Sequence, residues 1–102
     1  MRIISKRRIN EFAGMRSDAR EPLERWYRIT KRAEWKSFPD IREVFPHADW
    51  ITIASGKTVI VFNIAGTKYR LVTAVHFNIG RVYVLVILTH AEYSRESWKE
   101  VL

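Results

Sequence analysis

The stretch Val59-Ile60-Val61-Phe62-Asn63-Ile64-Ala65-Gly66-Thr67-Lys68-Tyr69-Arg70-Leu71-Val72 decides how this chain is read. Two runs of β-branched and aromatic residues flank Ala65-Gly66, and that is the sequence form of a β-hairpin. Moving outward, Ile51-Thr52-Ile53 precedes the hairpin, and Arg81 to Leu88 follows the break at Asn78-Ile79-Gly80. The second half therefore predicts four strands in an antiparallel meander: Ile51 to Ile53, Val59 to Ile64, Lys68 to Phe77, and Arg81 to Leu88. A last helix is predicted from Ala91 to Leu102, with Glu92 in its first turn and Lys99 near its end, as the helix dipole prefers.

The first half carries a different period. A short strand at Arg2 to Ile4 is followed by Ser5, placed to cap a helix running through Ile9, Phe12 and Ala13 to Gly14. Ser17 or Asp18 starts a second helix, with Glu21 spaced as in a capping box and Pro22 in the first turn. Leu23, Trp26, Tyr27 and Thr30 then follow the i, i+3, i+4, i+7 spacing of one buried stripe. Arg25, Arg28, Lys31 and Arg32 fall off that stripe and form a basic ridge, which is either a solvated face or a track for a phosphate backbone. Between Ser37 and Pro46 a connector with a short helical turn allows Ile41, Val44 and Phe45 to tuck under the sheet. The predicted class is α+β: N-terminal helices packed on a mainly antiparallel sheet, with a short C-terminal helix. Residues 1–102 are expected to form a single domain.

Composition narrows the function classes. Hydrophobic residues make up 47% of the 102 and aromatics 13%, enough apolar bulk to build a core without disulfides or a structural metal. There is no cysteine, which excludes an oxidised framework and a thiolate metal site and makes a reducing cytoplasm the expected home. The start of the chain lacks the apolar core of a signal peptide, and no segment approaches the roughly 18 apolar residues of a membrane span. A soluble protein with no membrane partner is expected. Net charge is +7, and residues 1–36 hold 11 Lys/Arg against 5 Asp/Glu, a net of +6. So basic a domain is an electrostatic footprint of nucleic-acid binding.

Side chains alternate faces along a strand, so register decides which cations meet. A two-residue Ala65-Gly66 loop pairs Ile64 with Thr67 and Asn63 with Lys68. A three-residue Asn78-Ile79-Gly80 loop pairs Phe77 with Arg81, which sets Arg70 opposite Leu88 and Lys68 opposite His90. Under that register Asn63, Lys68, Arg70, His76 and His90 share one face. Ile60, Phe62, Ile64, Tyr69, Leu71, Val75, Tyr83, Leu85 and Ile87 share the other, which should pack on the helices and leave the first face open.

The order and spacing of Phe62-Asn63-Ile64, Gly66, Lys68-Tyr69-Arg70-Leu71 and Thr89-His90-Ala91-Glu92-Tyr93 resemble HigB-type toxins of bacterial toxin-antitoxin modules, members of the wider RelE-like group. Ile3-Ile4-Ser5 and the Phe45-Pro46, Ala48-Asp49 step extend the resemblance over nearly the whole chain. It implies a RelE-like fold and ribosome-dependent, metal-free cleavage of translated messenger RNA, with no cofactor. It also implies neutralisation by a HigA-type helix-turn-helix antitoxin. In this resemblance Arg70 matches the strand arginine that holds the scissile phosphate. His90 falls where the group places a further catalytic basic residue, and Tyr93, with Trp98 as competitor, matches the C-terminal aromatic. RelE itself has extra lysines on the strand before its arginine. Here that strand offers Asn63, with Lys68 across the hairpin.

Metal-free RNA cleavage needs a base, an acid and a cation. The candidates are Arg70 as phosphate clamp, His90 as acid or base, Lys68 as electrostatic support, and Tyr93 to orient the substrate or stack on a base. Asn63, Arg81, Lys99, Arg25, Arg28, Lys31 and Arg32 are candidate RNA contacts. Simpler roles stand beside these: His90 as a helix cap, and Tyr93 as a partly buried helix residue. No acidic residue lies between Asp49 and Glu92 to pair with Arg70. Three dispersed histidines argue against a zinc site. The rival readings are a non-catalytic RNA-binding module and a domain that docks an acidic protein.

Overall fold

The computed structural model describes residues 1–102. Strand β1 (Arg2–Ile4) leads into helix α1 (Lys6–Met15), a 3-10 turn at Ser17–Ala19, α2 (Arg20–Arg32) and α3 (Phe38–Val44). Strands β2 (Asp49–Thr52), β3 (Thr58–Ile64), β4 (Tyr69–His76) and β5 (Arg81–Thr89) follow, and the chain closes with α4 (His90–Ser94) and α5 (Trp98–Val101). One five-stranded sheet runs in the order β1-β5-β4-β3-β2, the last four strands being the antiparallel meander. β1 joins the far edge in parallel, with Ile3 beside Val82. The class is the α+β one expected.

The main core lies between sheet and N-terminal helices. Leu23, Trp26 and Thr30 of the predicted α2 stripe are buried, with Tyr27 half-buried at its border. Phe62 sits at the centre of an aromatic group, with ring centroids 5.4 Å from Trp26, 6.2 Å from Trp35 and 5.2 Å from Phe45. Ile41 and Phe45 tuck beneath the sheet as expected, but Val44 points outward and is 47% exposed.

Several local expectations fail for identifiable reasons. Neither Ser5 nor the start of α2 carries a side-chain cap, so the Ser17/Asp18–Glu21 capping box does not form. The 3-10 turn delays α2 and turns Asp18 toward the sheet. The C-terminal helix is broken at Arg95–Ser97, with Glu96 in the left-handed region at φ 61°. That break lets Trp98 fold back, buried, onto the sheet, where its indole Nε1 donates to the Tyr93 carbonyl at 3.0 Å.

Register departs from expectation at both hairpins. The β3–β4 loop is four residues, Ala65 to Lys68, with Ala65 and Gly66 both at positive φ, and Ile64 pairs with Tyr69 rather than Thr67. Asn63 therefore lies beside Arg70 instead of Lys68. The shift is two residues, so every face assignment on β4 survives. The β4–β5 loop is also four residues, so His76, not Phe77, pairs with Arg81. This one-residue shift reverses the start of β5 and puts Tyr83 on the Arg70 face. A bulge then intervenes: Thr73 pairs with Val84 but Val72 with Val86, leaving Leu85 as the extra residue. Arg8 Nη1 donates to the Leu85 carbonyl at 3.0 Å. Past the bulge Arg70 lies opposite Leu88, the pairing read from sequence.

The Arg70 face is also not open along its length. Val59, Val61, Val72 and Leu88 on that face bury against Ile53 and Trp98, forming a second, smaller core. Leu85 packs against this second core, not against the helices. β3 and β4 are apolar on both faces, a pattern that demands cover on both sides.

Truncating Phe62→Ala should cost about 3–5 kcal/mol, because three aromatic partners lose contact at once. Urea unfolding of wild type and variant measures this, and an unchanged midpoint would contradict the proposed core.

Candidate functional site

At one end of the Arg70 face the second core stops and polar groups begin. Arg70 lies on β4, next to Asn63 of β3 and Leu88 of β5. Its Nη1 donates to the Thr67 carbonyl at 2.6 Å, within the same hairpin. Its Nη2 lies 3.5 Å from His90 Nδ1. The guanidinium carbon sits 5.2 Å from the centre of the Tyr93 ring. Nη1 also reaches the Tyr69 carbonyl at 3.5 Å, but no carboxylate pairs with Arg70, which leaves Nε and part of Nη2 free at a partly exposed position.

His90 and Tyr93 are delivered by the turn from β5 into α4. Thr89 caps that helix: the Glu92 amide donates to Thr89 Oγ1 at 3.2 Å, and the Thr89 amide donates to Glu92 Oε1 at 2.9 Å. The helix cap is Thr89, and His90 is its first residue, exposed. The His90 amide donates to the Lys68 carbonyl at 3.0 Å, extending the β4–β5 ladder one step past Thr89 and holding His90 beside the hairpin that bears Arg70. Tyr93, three residues on, stacks on Trp98 with centroids 5.3 Å apart and 20° between planes. Its hydroxyl makes no hydrogen bond within the protein. Burial, and then the charge of nearby Asp49, raise the Tyr93 phenol above its ordinary range, so it carries its proton through neutral pH.

Arg70, His90 and Tyr93 thus come together, with Asn63 alongside, whereas Lys68 does not join them. Its backbone faces His90 as expected, but its ammonium pairs with Asp18 on the helix side of the sheet. The reason lies in the four-residue turn: Lys68 is the last loop residue, free of the strand's alternation. Tyr69 Oη also donates to Asp18, at 2.7 Å. The Lys68 bond, then the Tyr69 bond, hold the Asp18 carboxyl below its usual value, and the same contacts push Lys68 and Tyr69 upward.

The remaining candidates are scattered. Arg81 begins β5 opposite His76, at the far end of the sheet from Arg70, with Nη1 3.5 Å from Tyr83 Oη. Lys99 pairs with Glu96 at 3.0 Å and lies 5.7 Å from the Trp98 ring centre, near Tyr93. Arg25, Arg28, Lys31 and Arg32 line the outer side of α2, on the opposite layer from Arg70. There Arg28, Lys31 and Arg32 join Lys6 around a hollow of about 570 Å³ floored by Tyr27. Nowhere do three His, Asp or Glu side chains gather as metal ligands.

Sequence reasoning missed Asp18, Asp49 and the stacking role of Trp98. Asp18 meets Lys68 and Tyr69 only through tertiary contact, Asp49 acts on Tyr93 only through its charge, and neither carries a local signal. The Thr89-x-x-Glu92 box, in contrast, is a local pattern that was available in the sequence.

Against models of known families, the chain matches HigB_toxin, described as the RelE-like toxic component of a toxin-antitoxin system, over residues 19–96. That span includes Arg70, His90 and Tyr93. No curated protein matches the chain.

Because Asp18 and Glu92 are both held below their ordinary values, each binds fewer protons folded than unfolded. Their contribution is present above the ordinary carboxylate range and is lost as pH falls through the depressed values. Asp18→Asn should therefore flatten the acid limb of stability against pH, measured by urea unfolding at stepped pH, and an acid limb as steep as wild type would contradict the Asp18 contacts. Thr89→Ala should cost about 1 kcal/mol through loss of the cap, and an unchanged urea midpoint would contradict it.

Proposed function

The chain belongs to the HigB family of RelE-like toxins, the toxic components of toxin-antitoxin systems, and from that membership we propose that it arrests translation by cutting messenger RNA on the ribosome. An antitoxin partner follows from the family. A HigA-type helix-turn-helix protein is the proposed form of it, and the cytoplasm, where ribosomes are found, the proposed location. No helix is long and apolar enough to cross a membrane.

The observation that carries the reading is Arg70: a guanidinium without a carboxylate, fixed by Thr67 and set between a histidine and a tyrosine. In the proposed reaction the ribose 2′-hydroxyl attacks the adjacent phosphorus. The O2′–P bond forms and the P–O5′ bond breaks, leaving a 2′,3′-cyclic phosphate and a 5′-hydroxyl. Arg70 forks two phosphoryl oxygens and stabilises the charge that grows on them. Tyr93 enters with its proton and so suits the donor to the departing 5′-oxygen, which leaves His90 to accept the 2′-proton. With its ring already stacked on Trp98 and faced by Arg70, Tyr93 has its hydroxyl rather than a ring face to offer. Asn63 flanks the phosphate site and Lys99 adds positive charge beside it. The reaction calls for no cofactor and no metal ion. The basic ridge of Arg25, Arg28, Lys31 and Arg32 faces a second direction, suited to holding RNA at a distance from the cut.

Arg70→Ala should abolish both message cleavage and growth arrest while leaving circular dichroism and antitoxin affinity unchanged; toxicity retained at matched expression would contradict the assignment. His90→Ala should slow cleavage about 10²- to 10⁴-fold without loss of ribosome binding, read by primer extension on translated transcripts. Salt-sensitive RNA binding without any cleavage on ribosomes would point instead to a non-catalytic module.

A further inference from the structure

On the face that carries Arg70, a second basic group stands at the other end of the sheet. Arg2 of β1, Arg81 of β5 and His76 of β4 form one cross-strand row, Arg2 beside Arg81 and Arg81 beside His76, on three consecutive strands of the sheet. Their chain neighbours fix the side: Ile3, Val75 and Val82 pack into the core beneath the helices, so the row faces the opposite way. The row spans two strand spacings, about 10 Å, and six residues of β4, about 20 Å, separate His76 from Arg70. The cover provided by Trp98 takes in Val72 and Val59 but not this end, where Arg2 and His76 are exposed and Arg81 is half-buried.

Like charges directly opposite one another on a sheet repel and weaken the pairing. A carboxylate in reach would relieve them, yet Arg2, Arg81 and His76 make no ion pair. Asp49 and Glu92, the acidic residues that bracket β3 to β5 in sequence, both lie toward the Arg70 end. The row is nevertheless held in place. Tyr83 stands one pair farther in on the same face, with its Oη 3.5 Å from Arg81 Nη1 and its ring edge-on to His76 at 5.2 Å. The Arg2 amide donates to the Gly80 carbonyl at 2.8 Å, which ties β1 to the β4–β5 turn.

The anion that fits such a row is a phosphate backbone. Two guanidiniums on adjacent strands can each fork phosphoryl oxygens, and a tyrosine hydroxyl is a common further phosphate donor. RNA is favoured over an acidic protein because the row shares its face with Arg70, so a body of RNA engaged at Arg70 lies against this end of the sheet too. The Trp98 segment stands between the two sites, and a single strand running from one to the other would have to climb over it. A separate backbone of folded RNA reaches the row unobstructed, and folded RNA is recognised chiefly through such phosphate contacts.

We propose that Arg2, Arg81 and His76 grip the phosphate backbone of folded ribosomal RNA and so hold the chain on the ribosome while Arg70 engages the message. The inference rests on the ribosome-dependent reading above, and its test separates the two. Affinity of the full chain for purified 70S ribosomes is measured over a salt series, and message cleavage over a ribosome series. Arg2→Gln and Arg81→Gln should each weaken binding and reduce the salt slope by about 1, the loss of one phosphate contact. Cleavage should then need more ribosomes to reach half its maximal rate, with the maximal rate unchanged. Arg81→Lys, which keeps the charge, should keep the slope. Arg7→Gln removes an equal charge, from a side chain paired with Glu11 at 2.9 Å, and should match wild type in both affinity and slope. Circular dichroism checks the fold of each variant, and exposed Arg2 carries the test if Arg81→Gln unfolds.

Wild-type affinity and slope in the glutamine variants, or an equal loss in Arg7→Gln, would overturn the proposal and leave ribosome-dependent cleavage standing. So would a lower maximal rate at unchanged affinity, since the row would then serve the chemistry. Weakened antitoxin binding with ribosome binding intact would overturn it too, because the occupant would be an acidic protein. If the wild-type chain binds no ribosomes, the ribosome-dependent reading fails and a short RNA duplex decides the row. A slope lowered in the glutamine variants on that duplex keeps the row as a phosphate site for folded RNA, and an unchanged slope overturns it.

Discussion

Everything at the candidate site depends on the register of β4 between β3 and β5. A strand has a period of two, so a slip of one residue would send Arg70 into the aromatic core and turn Tyr69 or Leu71 outward. What holds the register is a combination of turns and one bulge. The four-residue β4–β5 turn alone would set β5 one step out, and the extra residue Leu85 restores alignment before Leu88. At the bulge Arg8 reaches across from α1 and donates to the Leu85 carbonyl, tying the irregular step of β5 to the helix layer. The next steps of the ladder bring the Thr89 cap and His90 to the end of the hairpin that bears Arg70.

A second constraint follows from burying β3 and β4 on both faces. The helices cover one face, and the C-terminal segment covers the centre of the other by folding Trp98 back onto Val59, Val61, Val72 and Leu88. That packing does more than exclude water. It positions Tyr93 against Trp98 and beneath Arg70, so the structural cover and the polar cluster share an edge. On the helix side, Asp18 secures the same hairpin through Lys68 and Tyr69, while Phe12 packs edge-on against the Tyr69 ring at 5.2 Å. The hairpin is thus anchored from both layers, leaving Arg70 with little freedom beyond its side chain.

Much of this was legible in the sequence. The strands, the α2 stripe and the placement of Arg70 opposite Leu88 follow from local period and β-branched runs. A three-residue loop would give that last pairing directly, and the chain uses four residues and a bulge to the same end. Tyr83, between loop and bulge, and Leu85, the extra residue of the bulge, show the cost of the difference, since both take the face opposite to the one expected. Strand alternation places Lys68 at the site only when it is extended into the turn, to which Lys68 belongs. The local sequence of Asp18 suits a helix cap, whereas its partners Lys68 and Tyr69 lie 50 and 51 residues away. Features fixed by short-range period were readable, and those fixed by a tertiary contact were not.

The central claim is that Arg70, His90 and Tyr93 form a centre for attack by an RNA's own 2′-hydroxyl. Its most direct test is the end chemistry of ribosome-bound message cut by the purified chain. The account predicts an upstream fragment ending in a 2′,3′-cyclic phosphate or the 3′-phosphate derived from it, and a downstream fragment that accepts label from polynucleotide kinase through a free 5′-hydroxyl. An upstream 3′-hydroxyl with a downstream 5′-phosphate would mean that water, not the ribose, was the nucleophile, and would contradict it.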